Sequence, residues 1–252
     1  MASLARGLTV IRGFSQQRSR MSVAQLSLRT GIPRAAVRRV LYTLSALGYA
    51  GTDDGRTFTL RPQILALGHA YLSSTPLVMS AQPLLDQVSA SVHESCSMAV
   101  LDGDEILYVA RSSSSRRIMS IDLGIGSRLP AYCTSMGRVL LAHLPPSELA
   151  AYLRRLKLVA LTEKTQLAKD KLAAILEAVR IAGYAVVDQE LEIGLRSLAA
   201  PIHDARGQVV AAVNISTNAS AVASEPVPDL YREALAATAA AISADLVATA
   251  LD

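Results

Sequence analysis

Residues 22–60 read SVAQLSLRTGIPRAAVRRVLYTLSALGYAGTDDGRTFTL, and this stretch decides the fold of the first part of the chain. Ser22 takes the N-cap position of a short helix, and Gly31 suits a left-handed helix end. Pro33 follows, and proline is tolerated at the first position of a helix. The stretch therefore predicts a short helix, a glycine-containing turn and a second, longer helix.

The second helix, residues 34–48, has two chemically different sides. Its apolar residues recur at helical spacing and form one stripe, which consists of Val37, Val40, Leu41, Leu44 and Leu47. At about 100° per residue, the opposite side collects Ala35, Arg38, Arg39, Tyr42 and Thr43, with Arg34 at the exposed N-terminal end. A solvated basic surface gives the same pattern in a single helix. In a helix-turn-helix, however, this side is the one that enters the major groove, and we predict a recognition helix.

The segments on either side extend this motif to a winged domain. Two short β-favouring runs flank Asp54-Gly55, a dipeptide suited to a tight hairpin turn, and Arg56 lies near the tip. Upstream, an earlier helix is indicated by apolar residues on one face, namely Leu4, Leu8 and Ile11. We predict a DNA-binding domain over residues 1–61. Its DNA-facing residues are Ser22, Gln25, Arg34, Ala35, Arg38, Arg39, Tyr42 and Arg56.

Charge divides the chain at nearly the same place. Residues 1–75 contain ten arginines, no lysine and only two acids, Asp53 and Asp54, whereas residues 76–252 contain fifteen basic and nineteen acidic residues. The first part therefore carries +8 and the remainder −4, which the overall charge of +4 conceals. Guanidinium binds phosphate oxygens and the guanine edge in fork geometry, where ammonium offers only a point charge. This arginine-rich part favours double-stranded DNA as its partner.

The rest of the chain predicts an α+β fold. Residues 62–76 indicate a linker helix that ends in Ser73-Ser74-Thr75-Pro76, and residues 77–252 form a second domain. A helix is predicted over residues 77–94 and an alanine-rich helix closes the chain. Strand-like runs lie at residues 96–112, on both sides of Asp102-Gly103, and at 183–189, 195–204 and 208–216, and residues 116–130 give another strand that ends in a glycine-rich turn. A mostly antiparallel sheet of five or six strands flanked by helices accommodates them.

Several classes of protein are disfavoured by composition and motif. The N-terminus lacks the uninterrupted apolar region of a secretory signal, and the apolar segment 234–251 is mostly alanine and contains Asp245, so we expect a cytoplasmic protein without a membrane span. Cys96 and Cys133 lie far apart, and no histidine pair has metal-binding spacing. No GxSxG elbow or complete dinucleotide loop is present. The alternation of Asp188, Glu190 and Glu192 could align three carboxylates, but a solvated face gives the same pattern. We predict no metal, no cofactor and no catalysis.

One segment of the second domain could bind an anion. Tyr132 to Gly137 lies between Pro130 and an apparent helix over residues 137–143. The free N–H groups and dipole at the start of a helix can hold an anion without any arginine. An ordinary helix cap has the same sequence pattern, so the residues alone leave both interpretations open.

Together these segments resemble the IclR family of bacterial transcriptional regulators. The resemblance is carried by SLARGLTVIRGF at 3–14, by residues 22–49, by HESC at 93–96, by GSRLPAYCTSMGRVLLA at 126–142 and by residues 183–216. RAAVRR combined with LPAYCTSMGR is closest to the branch that governs catabolism of aromatic acids through the β-ketoadipate route. The resemblance implies a winged helix-turn-helix, a linker helix and a GAF-like effector-binding domain. It also implies homodimers or dimers of dimers on partly palindromic operator DNA.

The same resemblance implies where an effector binds. It places the ligand against the helix that follows Thr134 and gives pocket positions to Asp188, Ser197, Asn214 and Ser216. Asn214 and Ser216 face the same side of a strand because they are two residues apart, which is also true of ordinary hydrogen-bonded core residues.

Four further residues are candidates on weaker grounds. Arg128 and Arg138 could each pair with a carboxylate or be structural, and Met119 and Ile121 could wall an aromatic ring or pack in the core. The predicted effector set is therefore Met119, Ile121, Arg128, Tyr132, Cys133, Thr134, Ser135, Arg138, Asp188, Ser197, Asn214 and Ser216.

These observations favour a transcription factor that responds to a small organic acid such as protocatechuate, 4-hydroxybenzoate or β-ketoadipate. The alternative is a metabolite-binding signalling module or an enzyme whose basic N-terminus recruits a protein partner. Binding to the DNA that flanks the protein's own gene distinguishes the two hypotheses.

Overall fold

A computed structural model describes residues 2–15, 17–112, 123–220 and 228–249, which fall into two units, Met1–Ser74 and Thr75–Asp252. The first unit contains the elements α1 Ala2–Arg12, β1 Arg20–Ser22, α2 Val23–Thr30, α3 Arg34–Ala46, β2 Ala50–Gly51, β3 Thr57–Leu60, a 3₁₀ turn Pro62–Ile64 and α4 Leu65–Ser74. Its three strands form an antiparallel sheet in the order β1-β3-β2. The winged helix-turn-helix is thus confirmed, whereas β1 was not predicted because three residues carry too little periodicity.

Local capping determines where the two helices of the motif begin and end. The Ser22 hydroxyl accepts from the Gln25 N–H (3.3 Å), and the Gln25 side chain accepts from the Ser22 N–H (2.8 Å), which completes a capping box at the start of α2. Gly31 ends α2 with a φ of 70°, a conformation that glycine adopts without strain. The chain then turns at Pro33 into α3, as the sequence predicts.

The core of the first unit is small and lies between the three helices and the sheet. Its buried apolar residues are Val10, Met21, Leu26, Ile32, Val37 and Leu41, and Val40 and Leu44 pack against them. Leu47 was predicted to belong to this stripe, and that prediction is wrong because Leu47 lies beyond the last turn of α3 and is 61% exposed. The predicted apolar face of α1 is also mostly open, since Leu4 is 71% exposed and Val10 supplies the buried contact.

The second unit is a six-stranded sheet flanked by helices. Its elements are α5 Pro76–Val92, β4 Ser95–Asp102, β5 Glu105–Ser112, β6 Arg128–Pro130, α6 Ser135–Ala142, α7 Pro146–Arg155, α8 Lys169–Ala182, β7 Ala185–Asp188, β8 Leu195–His203, β9 Val209–Asn218 and α9 Asp229–Thr249. The strand order is β6-β5-β4-β9-β8-β7, and every pair is antiparallel. The predicted α+β class is confirmed. Of the segment 116–130, predicted to hold a strand and a glycine-rich turn, residues 116–122 lie outside the described residues and Arg128–Pro130 form β6.

Helices cover both faces of this sheet. α5 and α9 pack on one face, while α6 and α8 pack on the other and share a core with its strands. On the α6 side the central strands carry small residues, Ala99 on β4, Ala199 on β8 and Ala212 on β9, all fully buried. Because alanine leaves space above the sheet, α6 can approach the strands closely, and this brings its N-terminus to the sheet surface.

In the described part of the chain, no individual helix has the length and apolarity needed to cross a membrane; Pro62–Ser74 and Pro76–Val92 meet that criterion only when taken together. The helix predicted as a linker over residues 62–76 corresponds to the 3₁₀ turn and α4, which belong to the first unit. The predicted boundary at residues 61 and 62 stays a prediction.

Candidate DNA-binding surface and effector cavity

The outward side of α3 brings the predicted reading residues together. Arg34, Ala35, Arg38, Arg39 and Tyr42 are all exposed there, and Tyr42 is 76% exposed. The opposite side of the same helix holds the buried Val37 and Leu41, which fix its orientation in the unit. A large, exposed aromatic ring beside three guanidinium groups is available to contact bases and backbone in a groove.

The two acids of the first unit bind elsewhere. Asp53, in the turn between β2 and β3, pairs with Arg20 (3.1 Å) and Arg61 (3.3 Å). In the described residues, no carboxylate pairs with Arg34, Arg38, Arg39 or Arg56. The positive charge of the α3 surface is therefore left uncompensated, as phosphate binding requires.

Asp54 shapes the tip of the wing. Its carboxylate accepts hydrogen bonds from the Arg56 N–H (2.8 Å), the Thr57 N–H (2.7 Å) and the Thr57 hydroxyl (2.7 Å). These bonds, those of Thr57 first, hold the pKa of Asp54 well below its ordinary value. The turn that carries Arg56 is thus fixed by an ionised side chain.

Ser22 and Gln25, also predicted to face DNA, have a definite local function. Their side chains cap α2 by bonding each other's backbone N–H groups, and Gln25 remains exposed. Contact of these two residues with DNA stays a prediction.

In the second unit, a polar patch lies on the sheet face that α6 covers. The strand register places Ser197 opposite Ser216, and Ser216 opposite Ser95 on its other side. One step along, Asn214 lies opposite Ser97. Residues directly opposite one another share a face of the sheet, so these five small polar side chains are neighbours on three adjacent strands.

The start of α6 lies above this patch. The helix begins at Ser135, two residues earlier than predicted, because Thr134 is its N-cap and accepts from the Gly137 N–H (3.2 Å). The first N–H groups of a helix have no partner within the helix, and Thr134 takes only that of Gly137. The N–H groups of Ser135 and Met136 are the ones available to a ligand. A side chain at Gly137 would overlap the Ala131 carbonyl and the Thr134 hydroxyl, so glycine is required at this approach.

Between the helix start and the sheet is a small cavity. Its walls are formed by Tyr108, Cys133, Thr134, Ser135, Met136, Val187, Leu191, Leu195, Ser197, Asn214 and Ser216. Its volume is about 20 Å³, room for about one water molecule, whereas a cavity that accepts a benzene ring measures about 150 Å³. An aromatic acid therefore enters only if the walls move apart.

Two polar atoms in this wall lack partners in the described structure. Ser135 Oγ and Asn214 Oδ1 are buried without a hydrogen bond, although the Asn214 amide donates to the Ser216 hydroxyl (2.9 Å). Ser135 is 1% exposed and Asn214 4%. Buried polar groups are nearly always satisfied, so these two atoms are positioned to bond to a water molecule or to a ligand that enters the cavity.

The cavity wall contains no charged side chain, and both candidate arginines have carboxylate partners. Arg138 is buried, donates to Glu190 (2.7 Å) and to the Tyr132 carbonyl (3.0 Å), and lies outside the wall. Arg128 lies at the other end of β6, where it pairs with Asp102 (2.6 Å) and Glu105 (2.7 Å). Both arginines thus have carboxylate partners in the structure, and the polar groups of the cavity wall are uncharged.

Four other predicted residues lie away from the cavity or outside the described residues. The Tyr132 hydroxyl donates to the Val159 carbonyl (2.7 Å) and anchors that segment. Asp188 pairs with Lys164 (3.2 Å) on a partly exposed edge. Met119 and Ile121 lie outside the described residues.

Sequence reasoning missed the apolar part of the wall and Tyr108. Tyr108 lies on β5, Val187 on β7 and Leu191 in the turn between β7 and β8, and Leu195 is the first residue of β8. Only the folded sheet brings these segments together. Alternation along β5 could have placed Tyr108 on the inner face, but not beside α6.

The ionisable groups of the wall remain neutral. Burial raises the pKa of Tyr108 to about 12, and it also raises the pKa of the Cys133 thiol to about 12. Within the described residues no cluster of histidine, cysteine or carboxylate side chains could hold a metal ion. The wall thus offers hydrogen-bond donors at the start of α6 and apolar side chains from Met136, Val187 and Leu191.

Known proteins match this chain over most of its length. A model of the IclR helix-turn-helix domain matches residues 3–54, and a model of the C-terminal domain of bacterial IclR transcriptional regulators matches residues 69–244. The Pca regulon regulatory protein of Pseudomonas putida is 57% identical over 222 residues, which are 88% of this chain and 76% of that protein.

Two crystal structures extend the match to the whole fold. The regulator RHA06195 of Rhodococcus sp. RHA1 has a TM-score of 0.84, 48% identity and 99% coverage of both chains. An IclR homologue of Microbacterium hydrocarbonoxydans, complexed with 4-hydroxybenzoate, has a TM-score of 0.83 and 25% identity, and covers 98% of this chain and 99% of that one.

Proposed function

Because the chain belongs to the IclR family of bacterial transcriptional regulators, we propose that it controls genes of aromatic-acid catabolism in response to a small organic acid bound at the start of α6. As an IclR-type regulator it binds DNA through the first unit and a ligand through the second, and it is not an enzyme. The regulated pathway and the ligand are the parts that the proposal adds.

Two relatives support the pathway. One governs the Pca regulon and shares more than half of the aligned residues, and the homologue of known structure is bound to 4-hydroxybenzoate. The candidate effectors are therefore protocatechuate, 4-hydroxybenzoate and β-ketoadipate. All three carry at least one carboxylate, the group that the start of a helix stabilises.

The observation that carries the ligand proposal is the pair of unpartnered buried atoms, Ser135 Oγ and Asn214 Oδ1. A carboxylate at this point accepts hydrogen bonds from the Ser135 hydroxyl and from the N–H groups of Ser135 and Met136. Ser197, Asn214 and Ser216 then present polar groups to the rest of the ligand. Fixed dipoles of this kind stabilise an anion without the cost of burying a counter-charge.

On the DNA side, we assign major-groove contacts to Arg34, Arg38, Arg39 and Tyr42, and backbone or minor-groove contact to Arg56. A homodimer or a dimer of dimers on a partly palindromic operator matches two such surfaces to two half-sites. Since its target is operator DNA, we place the protein in the bacterial cytoplasm.

The ligand acts by changing which arrangement of the protein is populated. The cavity as described is too small for an aromatic acid, so a bound acid must favour an arrangement with a wider cavity. The protein has one arrangement that binds DNA and one that does not. A ligand changes the affinity for DNA only to the extent that it binds one of these arrangements more tightly than the other.

The test combines DNA binding and calorimetry on the full-length protein. Labelled DNA from the region upstream of the protein's own gene should bind in fluorescence anisotropy, and one of the three acids should change that affinity. The same acid should bind in calorimetry, and Ser135→Ala should weaken it by about tenfold, the value of one hydrogen bond to a charged group. Absence of DNA binding at low salt, or equal affinity of wild type and Ser135→Ala for the active acid, contradicts the corresponding half of the proposal.

A further inference from the structure

The side-chain amide of Asn214 has a fixed orientation in the cavity wall. Asn214 lies on β9, lines the cavity and is 4% exposed. Its nitrogen donates to the hydroxyl of Ser216 (2.9 Å), which lies two residues further along the same strand and therefore on the same face of the sheet. This bond occupies the donor end of the amide. The oxygen is left as the end that a molecule in the cavity meets.

The oxygen of this amide has no hydrogen-bond donor among the described residues. Asn214 Oδ1 is buried and makes no hydrogen bond. The strand register places Ser97 and Ala199 on either side of Asn214; alanine has no side-chain donor, and Oδ1 makes no bond to the Ser97 hydroxyl. Arg196 precedes the wall residue Ser197 on β8 and so belongs to the opposite face of the sheet. A molecule that donates to Oδ1 thus supplies a bond that these neighbours do not make.

The two sides of the cavity differ in the direction of their hydrogen bonds. On the helix side, the hydroxyl of Ser135 and the N–H groups of Ser135 and Met136 can donate, as a carboxylate requires. On the sheet side, Asn214 Oδ1 can only accept, because an amide oxygen carries no proton. A carboxylate at that point would set lone pairs against lone pairs. The walls therefore match a ligand with an acceptor at one side and a donor at the other.

The remaining polar groups of the wall carry protons of their own. The Thr134 hydroxyl and the Cys133 thiol both donate to the Pro130 carbonyl, at 3.1 and 3.8 Å. Burial raises the pKa of Tyr108 to about 12, so its hydroxyl keeps its proton at neutral pH. The serine hydroxyls of the wall likewise carry protons. Among the wall side chains in the described part of the chain, Asn214 therefore supplies the acceptor that has no proton to donate.

We propose that Asn214 selects effectors that carry a hydroxyl group in addition to a carboxylate: the hydroxyl donates to Oδ1 while the carboxylate lies at the start of α6. The inference rests on the proposed function insofar as the effector is an acid bound at that helix start. The ligand class is then a hydroxy acid. Protocatechuate and 4-hydroxybenzoate carry such a hydroxyl, whereas β-ketoadipate in its keto form offers only acceptors. An analogue without the donor is rejected because it leaves Oδ1 dehydrated and unpaired.

The first experiment measures this selectivity by calorimetry on the full-length protein. The probes are 4-hydroxybenzoate, 4-methylbenzoate and 4-cyanobenzoate. All three are monoanions at neutral pH, so the field of the surrounding ionised side chains acts on them alike. The hydroxyl and methyl groups are similar in size, but only the hydroxyl donates, and the cyano group only accepts. The hydroxy acid should bind about tenfold more tightly than the methyl acid, and the cyano acid no more tightly than the methyl acid. Equal affinities, or a preference for the cyano acid, overturn the proposal.

Two substitutions of asparagine assign the selectivity to one residue. Asn214→Leu keeps the branched shape of the side chain and removes both polar atoms, so the hydroxyl-to-methyl affinity ratio should fall about tenfold even if all affinities change. Asn218→Leu is the matched control on the same strand. Asn218 is exposed, and its Oδ1 already accepts from the N–H (2.9 Å) and the hydroxyl (2.7 Å) of Ser220. The control should keep the wild-type ratio. An unchanged ratio in Asn214→Leu overturns the proposal.

A third variant decides the question if Asn214→Leu does not fold. Ser216→Ala leaves the amide in place and removes the hydroxyl that fixes its rotation. The amide can then turn its nitrogen towards the ligand, so the affinity of 4-cyanobenzoate relative to 4-methylbenzoate should rise several-fold. If the ranking of the three acids stays as in the wild type, the orientation of the amide does not set the selectivity, and the proposal is wrong.

A neutral pair of probes separates failure of this inference from failure of the proposed function. Phenol and toluene repeat the exchange of hydroxyl for methyl without a carboxylate, and ligand-observed NMR detects their weak binding. If no acid binds the wild type, the proposed ligand class is wrong, and a preference for phenol that is lost in Asn214→Leu still supports the inference. Absence of that preference then overturns the inference as well. If the acids bind without preference for the hydroxyl group, the inference is wrong and the proposed function stands.

Discussion

The two units use arginine in opposite ways. On α3, Arg34, Arg38 and Arg39 are exposed, and no carboxylate in the described residues pairs with them. In the second unit, Arg128 and Arg138 lie next to the segment expected to bind an anion, yet both are bound to carboxylates. Arginine thus supplies unpaired positive charge on α3 of the first unit, and it forms structural ion pairs in the second unit.

The difference matches the kind of anion that we propose for each unit. DNA is a surface polyanion, and exposed guanidinium groups bind it by releasing counterions without leaving water themselves. An arginine that bound a single carboxylate in a closed cavity would be buried and unpaired when the ligand is absent, which costs several kcal/mol. Helix N–H groups and hydroxyls avoid that cost because they are neutral and fixed by the fold.

The largest effect that we expect tests whether Arg138 is structural. Arg138→Met leaves Glu190 without its buried partner and should lower the free energy of unfolding of the second unit by about 3–5 kcal/mol. Arg128→Met breaks a pair that is 38% exposed on the arginine side and should cost less than about 1 kcal/mol. Denaturant unfolding of the full chain measures both. If the two variants lower the free energy of unfolding by similar amounts, burial does not make the Arg138 pair more important for stability than the Arg128 pair.

The next effect tests the start of α6 as the anion-binding element. Gly137→Ala places a methyl group against the Ala131 carbonyl and the Thr134 hydroxyl, and should cost about 3 kcal/mol, the upper end for overpacking. Effector binding should weaken with it because the cap and the free N–H groups shift. Gly124→Ala is the control, since a methyl group there meets no atom within 4 Å. Full effector affinity in Gly137→Ala would mean that the ligand does not depend on the helix start.

The sequence predicted the regions whose signals are local. Ser22, Gly31 and the period of α3 predict a helix-turn-helix because capping and amphipathicity act within a few residues. The start of α6 was predicted two residues late, because Gly137 looks like a helix boundary whereas Thr134 is the residue that caps it. Leu47 fits the apolar spacing of α3, but the core ends before it.

The cavity could be predicted only in part. The polar residues Ser197, Asn214 and Ser216 line it as the family resemblance implied, and their roles in binding stay predictions. Tyr108 and Leu191 join the wall through the order of strands in the sheet, which no local pattern encodes. Glu190 and Arg138 are 52 residues apart, so neither segment alone reveals that each neutralises the other.

A smaller effect tests the free arginines of the first unit. Arg38→Ala should weaken operator binding by about 1–3 kcal/mol and relax specificity at one base position if Arg38 reads a base. If it contacts only phosphate, affinity should fall equally on all sequences, and the slope of log affinity against log salt should decrease by about 1. Arg20→Ala, which removes an arginine already paired with Asp53, is the control and should change DNA binding much less. Equal losses in fluorescence anisotropy would show that pairing with an acid does not distinguish the two arginines.

The smallest effect concerns the acid that keeps the wing in place while the arginines stay free. Asp54 has a lowered pKa in the folded protein because Thr57, and to a smaller extent Arg56, donate hydrogen bonds to its carboxylate. Its contribution is therefore complete above the ordinary carboxyl pKa of about 3.9 and is lost as the pH falls through the lowered folded-state pKa. The stability of the first unit should stay level between about pH 7 and about pH 5 and decrease below that, and Asp54→Asn should remove much of this decrease. In an NMR titration of the full chain, the Thr57 amide should not report an ionisation near the ordinary carboxyl pKa. A midpoint there would mean that the wing turn is not fixed by an ionised Asp54. It would also mean that the Asp54 carboxylate is not held in local hydrogen bonds, the condition under which it cannot pair with the arginines of α3.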